Sequence, residues 1–254
     1  MRLICSRAGY AVLLVNVFTN NKPRGRGRPP GQTAQGAAAR DRLYAIAIRR
    51  MAKQGYESTT LRDVAKEAGV SVGLLYRYFP SKRAVIVALY DELSAEYARR
   101  ALELPRGRWR DRFIFALRTS LQVLEPHRIA LRALIPVMVG DPEEGVFAES
   151  AVPSRARVLR VFEEAVAGST DAPPETLAHA MGRLLYMVHL AVLLWWLLDK
   201  STKQRATVAL VSLFEQVLPS AGVMLRLPPV RRFVMSADAL LREALFDDRL
   251  EAGA

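Results

Sequence analysis

The chain has 254 residues, of which 51% are hydrophobic and 24% charged, so it can bury a sizeable core and is not disordered as a whole. Its net charge is +12. Residues 1–83 hold 16 Lys and Arg but only 4 Asp and Glu, whereas residues 84–254 hold 21 basic and 21 acidic residues, so the whole positive excess lies in the first part of the chain. Cys5 is the single cysteine, which excludes an intramolecular disulfide and a cysteine-based zinc site and suits a reducing, cytoplasmic setting. A basic segment joined to a neutral one is typical of a nucleic-acid binder with a second module.

Residues 1–20 contain an apolar run from Ala11 to Phe18 behind Arg2 and Arg7. The run is too short to span a bilayer, and no small-x-small cleavage site follows it, so neither a membrane anchor nor a signal peptide is indicated. Two interpretations stay open: a start codon assigned too far upstream, or a disordered or loosely packed extension.

A basic arm follows at Lys22–Pro30, with the sequence KPRGRGRPP, and it holds too few apolar residues to fold alone. Its Arg-Gly-Arg-Pro segment resembles the core of an AT-hook, which would place Arg24, Arg26 and Arg28 in the minor groove. The alternative is a basic tail held near phosphates without a preferred groove. Either arrangement would tighten binding to DNA.

From about Thr33 the composition becomes helical. Leu43, Ala47 and Met51 lie four residues apart and predict one buried helical face, and Gly55 predicts the end of this first helix.

A second helix is predicted to begin at Leu61, because Thr60 and Asp63 have the spacing of a capping box. Gly69 predicts its end, since glycine readily takes the left-handed conformation that follows a last helical turn. This helix is short and is followed at once by a further helix start.

Ser71 is the predicted cap of a third helix, Val72–Phe79, whose Leu75 and Phe79 would face inward. The positions predicted to face outward are Val72, Gly73, Tyr76 and Arg77, with Leu74 at the edge. Two short helices joined by a glycine-containing turn, the second with an exposed face, predict a helix-turn-helix.

These residues, GYESTTLRDVAKEAGVSVGLLYRYFPSK, resemble the N-terminal DNA-binding domain of TetR-type transcriptional regulators, and the similarity runs from about Leu43 to Tyr90. Arg50 departs from it, because the family usually has an apolar residue there. The resemblance implies an all-α fold, in which a three-helix DNA-binding domain precedes a larger helical domain for ligand binding and dimerisation. It also implies a regulator, most often a repressor, and not an enzyme.

The residues expected to contact DNA fall into two groups. Phosphate contacts are expected from Thr60, Ser71, Tyr76, Arg77 and Lys82, which are hydroxyl donors, cations or residues at helix starts. Base contacts are expected, by resemblance, from Arg62, Val72, Gly73 and Leu74. Arg62 can pair with guanine, whereas Val72 and Leu74 can only pack on a thymine methyl or exclude bases by shape.

The rest of the chain is predicted to be almost entirely helical. A linking helix runs from Ser81 to about Leu102, and Pro105 and Gly107 mark the boundary that follows. Further helices are predicted at 109–124, 128–139, 153–167, 174–198, 202–218 and 230–246. We therefore expect an extension with the basic arm at 1–32, the DNA-binding domain at 33–98 and a helical regulatory and dimerisation domain at 99–254.

Leu184–Leu198 is apolar at every position except His189, and its 15 residues are too few to span a membrane. A monomer of this size seldom covers such a helix on all sides. Burial against a second copy would cover it, and the resemblance implies a homodimer through the last long helices, at about 174–218.

We expect no metal and no cofactor. His127, His179 and His189 are the only histidines, and the last two lack a spacing that suits metal ligation. No glycine-rich phosphate loop or nucleophile motif occurs. The resemblance implies a pocket for a small apolar ligand, and the side chains expected to line it are Phe113, Met138, Phe162, Tyr186 and His189.

The sequence thus predicts a cytoplasmic, nucleoid-associated homodimer that binds a palindromic operator in double-stranded DNA and responds to a ligand. Two alternatives stay open: an architectural DNA-binding protein without a ligand, and a helical carrier or enzyme with a vestigial DNA-binding head.

Overall fold

The computed structural model describes residues 34–246, and these residues form helices and connecting loops without a strand, which confirms the all-α prediction. The predicted arm, with Arg24, Arg26 and Arg28, lies outside the described residues. The helices are α1 (Ala34–Gln54), α2 (Leu61–Ala68), α3 (Val72–Tyr78), α4 (Lys82–Ala101), α5 (Trp109–Leu124), α6 (Arg128–Ala133), α7 (Ile135–Gly140), α8 (Val152–Ala167), α9 (Glu175–Leu198), α10 (Arg205–Met224) and α11 (Pro228–Leu245).

The first core joins α1, α2, α3 and the first half of α4. Leu43, Ala47 and Met51 are fully buried in it, as their spacing predicted. This core does not end with the helix-turn-helix, because α6, α7 and the end of α9 contribute to it as well. The residues that they add are Leu131, Leu134, Val137, Trp196 and Leu197.

The second core is built from the end of α4 with α5, α8 and α9. Tyr97 of α4, Phe113 of α5 and Phe162 of α8 are buried at its centre. α11 packs across α9, where the buried carboxylate of Asp238 accepts a hydrogen bond of 2.9 Å from Nη2 of Arg183. A paired buried charge fixes this crossing more specifically than apolar packing would.

α4 is continuous through the predicted division at residue 98. Its residues Val85 and Leu89 lie in the first core, and Tyr97 and Ala101 lie in the second. A single helix therefore connects the helix-turn-helix mechanically to the larger helical body.

The predicted single helix at 128–139 is wrong, because the chain forms two short helices, α6 and α7, that meet at Leu134. Pro136 explains the break. Its nitrogen carries no hydrogen to donate to the carbonyl of Arg132, and its ring crowds that carbonyl.

The predicted bounds of the helix at 202–218 are also wrong, because α10 begins at Arg205 and continues through Pro219 to Met224. Residues Thr202–Gln204 form a 3₁₀ turn instead, and the carboxylate of Asp199 accepts hydrogen bonds from the backbone N–H and the hydroxyl of Thr207 at 2.9 and 2.7 Å. A proline removes one hydrogen bond from a helix interior but does not necessarily end the helix.

Substitution of Leu75 by alanine should lower the free energy of unfolding by about 3 kcal/mol, because its fully buried side chain is the main anchor of α3 and would leave a cavity. Chemical denaturation followed by far-UV circular dichroism measures the change. Leu102→Ala is the matched control, since Leu102 is 84% exposed and its loss should cost no more than about 0.5 kcal/mol. Equal effects of the two substitutions would contradict the packing described.

Candidate nucleic-acid interface

Both ends of α2 have the predicted capping residues. The side-chain oxygen of Thr60 accepts a hydrogen bond of 3.1 Å from the N–H of Asp63, which confirms the predicted cap and the start of α2 at Leu61. Gly69 ends the helix with φ of 67°, where its N–H donates to the carbonyls of Ala65 and Lys66. A residue with a side chain would be strained in this conformation, so glycine fixes the angle between the two helices.

α3 presents a mixed face to solvent. The hydroxyl of Ser71 accepts a hydrogen bond of 3.2 Å from the N–H of Leu74 and caps the helix. Leu75 and Phe79 are buried as predicted, and Val72 and Tyr76 are 37% and 46% exposed. Gly73 and Arg77 are exposed beside them, and Leu74 is half-buried at the edge.

Glu67 ties α2 to α1. Its carboxylate accepts a hydrogen bond of 2.8 Å from Nη1 of Arg50 and a second hydrogen bond from Arg49. The hydrogen bonds from Arg50 and Arg49 lower the pKa of Glu67 below its ordinary value. Arg50 therefore replaces the apolar contact expected at its position by an ion pair at the surface, and the helix keeps its predicted rotation.

Lys82, at the start of α4, is held against the turn that precedes α2. Its ammonium donates a hydrogen bond of 3.1 Å to the carbonyl of Tyr56 and lies 4.2 Å from the centroid of the Tyr56 ring. It also lies 3.8 Å from the exposed carboxylate of Glu57. These contacts hold the positive charge at the N-terminus of a helix, a position that suits a phosphate group.

Arg62 and Arg77 are the uncompensated cations of this surface. Both side chains are exposed, and neither makes an ion pair or a hydrogen bond with any of the residues 34–246. We name as the α3 surface the exposed residues from the start of α2 to α3 at which DNA contacts are predicted, namely Thr60, Arg62, Ser71, Val72, Gly73, Tyr76 and Arg77.

A contact that the sequence analysis did not find joins the turn between α1 and α2, and α4, to the loop after α7. The hydroxyl of Tyr56 donates a hydrogen bond to the carboxylate of Glu144, and Tyr90 donates to the carbonyl of Glu144 at 3.4 Å. Burial and the bond to Glu144 raise the pKa of Tyr56. Because 88 residues separate Tyr56 from Glu144, no local pattern signals this pair.

The histidines and carboxylates of the described residues do not form a metal site, since no group of three or more potential ligands occurs among them. His179 lies on the surface, where Nδ1 is 3.2 Å from a carboxylate oxygen of Glu163. His127 is half-buried in the turn before α6, and His189 is buried in the second core.

A cavity of about 130 Å³ lies in the body between α4, α5, α8 and α9. Its wall is mostly apolar. Of the predicted ligand-pocket residues, Met138, Tyr186 and His189 lie on the wall. Phe113 and Phe162 are packed in the core instead, with the Phe162 ring 4.8 Å from the His189 ring.

Polar groups interrupt this wall at a few places. Nε2 of His189 is 2.8 Å from the hydroxyl of Ser120, and both residues line the cavity. Burial lowers the pKa of His189 to about 3, so the imidazole is neutral at physiological pH. Nδ1 of His189 and the hydroxyl of Tyr97 are buried and make no hydrogen bond within the part of the chain that the structure describes.

An apolar face on α9 and α10 is exposed to solvent. Val208, Leu213 and Val217 of α10 are each more than half exposed, as are Trp195 and Leu198 of α9. By length and composition alone, the stretches Glu175–Leu198 and Thr202–Met224 could cross a membrane. In the most apolar 18 residues of each stretch, 39% and 11% of the residues are buried in the protein. Such stretches also occur as core and interface helices of soluble proteins.

Comparison with known proteins finds a match to the family model of bacterial regulatory proteins of the tetR family over residues 43–89. The repressor KstR of Rhodococcus jostii is 29% identical over 177 residues, which cover 64% of this chain and 74% of KstR. The repressor KstR2 of Mycolicibacterium smegmatis is 39% identical over 57 residues, or 22% of this chain and 28% of KstR2. The chain thus spans less than a third of the length of KstR2 in this match.

Solved structures share the arrangement of helices over most of this chain. A TetR-family transcriptional regulator from Syntrophomonas wolfei has a TM-score of 0.56 at 18% identity and covers 72% of this chain and 96% of its own. A regulator of the same family from Streptomyces coelicolor has a TM-score of 0.54 at 18% identity and covers 85% of this chain and 96% of its own. At this identity the similarity concerns the arrangement of helices.

The stability of the protein should fall as the pH falls from 7 to 5, in part because of His189. The unfolded chain binds a proton on this imidazole below about pH 6.5, whereas the folded protein keeps it neutral down to about pH 3. This difference removes about 2 kcal/mol of stability between pH 7 and pH 5. Denaturation of the wild type and of His189→Leu at both pH values measures it, because the variant lacks this term and shares all others. An equal loss in both proteins would contradict a neutral, buried His189.

Proposed function

We propose that this chain, a member of the tetR family of bacterial regulatory proteins through residues 43–89, is a sequence-specific DNA-binding transcriptional regulator. It binds a palindromic operator as a homodimer and responds to a small apolar ligand, most simply as a repressor. Its place of action is the cytoplasm, on the nucleoid.

The single observation that carries the DNA-binding proposal is the α3 surface. A capped helix exposes Val72, Gly73 and Tyr76 while its other side is anchored in the core, so its outer face is free to enter a major groove. Arg62 and Arg77 carry charges that no carboxylate of the described residues neutralises. Such charges gain free energy at phosphates through release of counterions.

The homodimer proposal is supported by the apolar face of α9 and α10. Only Thr207 and Val211 of α10 are buried, although most of this helix is apolar. A second copy placed on the same face by a two-fold axis would cover both helices and would present two α3 surfaces. Two half-sites about one helical turn apart match that symmetry.

The proposal that a ligand regulates DNA binding rests on the cavity and on α4. Tyr90, Leu93 and Tyr97 of α4 line the cavity, and the other end of the same helix begins at Lys82, which follows α3 in the chain. A ligand that shifts the wall also shifts the start of α4, and thereby the spacing of the two α3 surfaces. A cavity with polar groups on its wall favours this regulator over an architectural DNA binder without a ligand.

Arg77→Ala should weaken binding to all DNA sequences by a similar factor and reduce the salt dependence of binding, because Arg77 is expected to contact phosphate. Arg62→Ala should weaken operator binding more than binding to random DNA, by about 1–3 kcal/mol, because Arg62 is expected to contact a base. Selection from a random DNA pool first identifies the operator, and gel shifts at several salt concentrations measure both effects.

Arg160→Ala is the matched control for these two variants, since it removes an exposed charge from α8 in the body. Its operator affinity should stay close to that of the wild type. If all three variants lose the same affinity, net charge alone accounts for DNA binding and the α3 surface has no specific role.

Leu213→Glu combined with Val217→Glu should produce a folded monomer, because both side chains lie one turn apart on the exposed face of α10 and would bury unpaired carboxylates in a dimer. Light scattering after gel filtration at micromolar concentration measures the mass. Leu102→Glu is the control, since it adds a carboxylate at an exposed leucine outside this face. A double variant that stays dimeric would place the dimer interface elsewhere.

A further inference from the structure

Two residues on the wall of the cavity in the body carry polar atoms whose hydrogen-bonding capacity is unused. The hydroxyl of Tyr97 and Nδ1 of His189 belong to side chains that are 3% exposed and line the same cavity. Neither atom makes a hydrogen bond with any of the residues that the structure describes. Leaving such a group unpaired costs about 1–3 kcal/mol, so two of them on one cavity wall need a physical explanation.

The surroundings of the two groups hold them in place. The rings of Tyr97 and His189 are stacked nearly parallel, with centroids 6.2 Å apart, and Phe162 packs on the imidazole. The hydroxyl of Ser120 holds the other ring nitrogen of His189 at 2.8 Å. These contacts fix the imidazole, so the free nitrogen is a preorganised hydrogen-bonding group and not a side chain that can turn away.

The chemistry of the two groups selects the polar part of a ligand. A tyrosine hydroxyl both donates and accepts, whereas Nδ1 does one or the other according to the tautomer that Ser120 stabilises. An alcohol hydroxyl matches either tautomer, because it also donates and accepts. A carboxylate only accepts, and its charge would face a neutral imidazole, which does not compensate the cost of burying it.

Among the described residues, Arg155 is the cation on the wall, and carbonyl oxygens and aromatic rings surround its guanidinium. Its Nη1 donates hydrogen bonds to the carbonyls of Val146 and Ala148 at 3.2 and 3.4 Å. Its guanidinium also lies 5.8 Å from the ring centroids of Phe147 and Phe246. These neutral contacts stabilise the guanidinium without a ligand, so the test includes a charged probe that would use Arg155 instead of Tyr97 and His189.

The size of the cavity determines how much of the ligand the protein can enclose. Since one water needs roughly 10–15 Å³ of such space, a cavity of about 130 Å³ accommodates roughly ten non-hydrogen atoms. The wall around the two polar groups is apolar, with Leu93, Leu190 and Val158 among its members.

We propose that the cavity binds a small, neutral alcohol with an apolar body, whose hydroxyl group is held by Tyr97 and His189. This inference rests on the proposed ligand-responsive function and specifies the chemical class of its ligand.

Three probes of similar size test the class at pH 7: 1-nonanol, methyl octyl ether, which accepts but does not donate a hydrogen bond, and nonanoate, which is charged. Trp196 lies on the wall, so tryptophan fluorescence together with calorimetry reports binding. The wild type should bind 1-nonanol about five- to tenfold more tightly than either of the other probes, as expected for one or two net hydrogen bonds.

Tyr97→Phe separates ligand binding from a structural role. This variant removes only the unpaired hydroxyl, so its melting temperature should stay equal or rise, while its preference for 1-nonanol over the ether should fall to about twofold or less. Tyr90→Phe is the matched control, because the Tyr90 side chain also lines the cavity but its hydroxyl donates to the carbonyl of Glu144. Tyr90→Phe should keep the full preference for 1-nonanol.

Several outcomes would overturn the proposal. Tightest binding of nonanoate would assign the ligand to Arg155 and to an anionic class. Equal binding of the three probes would show that the cavity selects by shape alone, and absence of binding by all three would show that water satisfies the two groups. Operator binding is measured separately with and without 1-nonanol. If 1-nonanol binds with the expected preference but leaves operator affinity unchanged, the ligand class stands and the proposed regulation fails.

Discussion

The packing of α4 into two cores is the constraint on which the rest of the structure depends. Val85 and Leu89 are buried with the helix-turn-helix, and Tyr97 and Ala101 are buried in the body, within one uninterrupted helix. Because closely packed cores resist deformation, a rotation of the body must be carried to the other end of α4 or must break one of the two cores. The helix therefore determines where the outer face of α3 can lie.

The short length of α3 makes this support necessary. A helix of 7 residues is not stable in water by itself, since the cost of nucleation exceeds the gain from its few hydrogen bonds. Leu75 and Phe79 supply the missing free energy by burial, and the cap at Ser71 satisfies one free N–H group. The opposite face of α3 does not pack against the core, so it is exposed and can contact DNA. Glu67 contributes by holding α2, the neighbour of α3, against α1.

Sequence reasoning succeeded where a single residue determines local structure. The cap at Thr60 and the left-handed Gly69 gave the bounds of α2 to the residue, and helical spacing identified the buried face of α1. It failed at Pro136 and Pro219, because one proline breaks its helix while the other is accommodated, and the difference depends on tertiary packing. The lining of the cavity also depends on tertiary packing, which the sequence does not show.

Helical spacing shows that a side chain faces inward, as for Phe113, but not whether it packs against another side chain or lines an open space. The unpaired groups on the cavity wall gave no signal, since hydrogen bonds across helices have no sequence pattern.

The first core extends beyond the helix-turn-helix into Leu131, Leu134 and Trp196, and this has a consequence for protein engineering. Consider a chimera in which only residues 34–101 are exchanged with those of a relative. Its helix-turn-helix domain would pack against a helical body from a different protein. Its mismatched apolar side chains would leave voids or clashes at the junction. A successful graft has to carry α6, α7 and the last turn of α9 with the head, so the unit that can be exchanged between relatives is discontinuous in the chain.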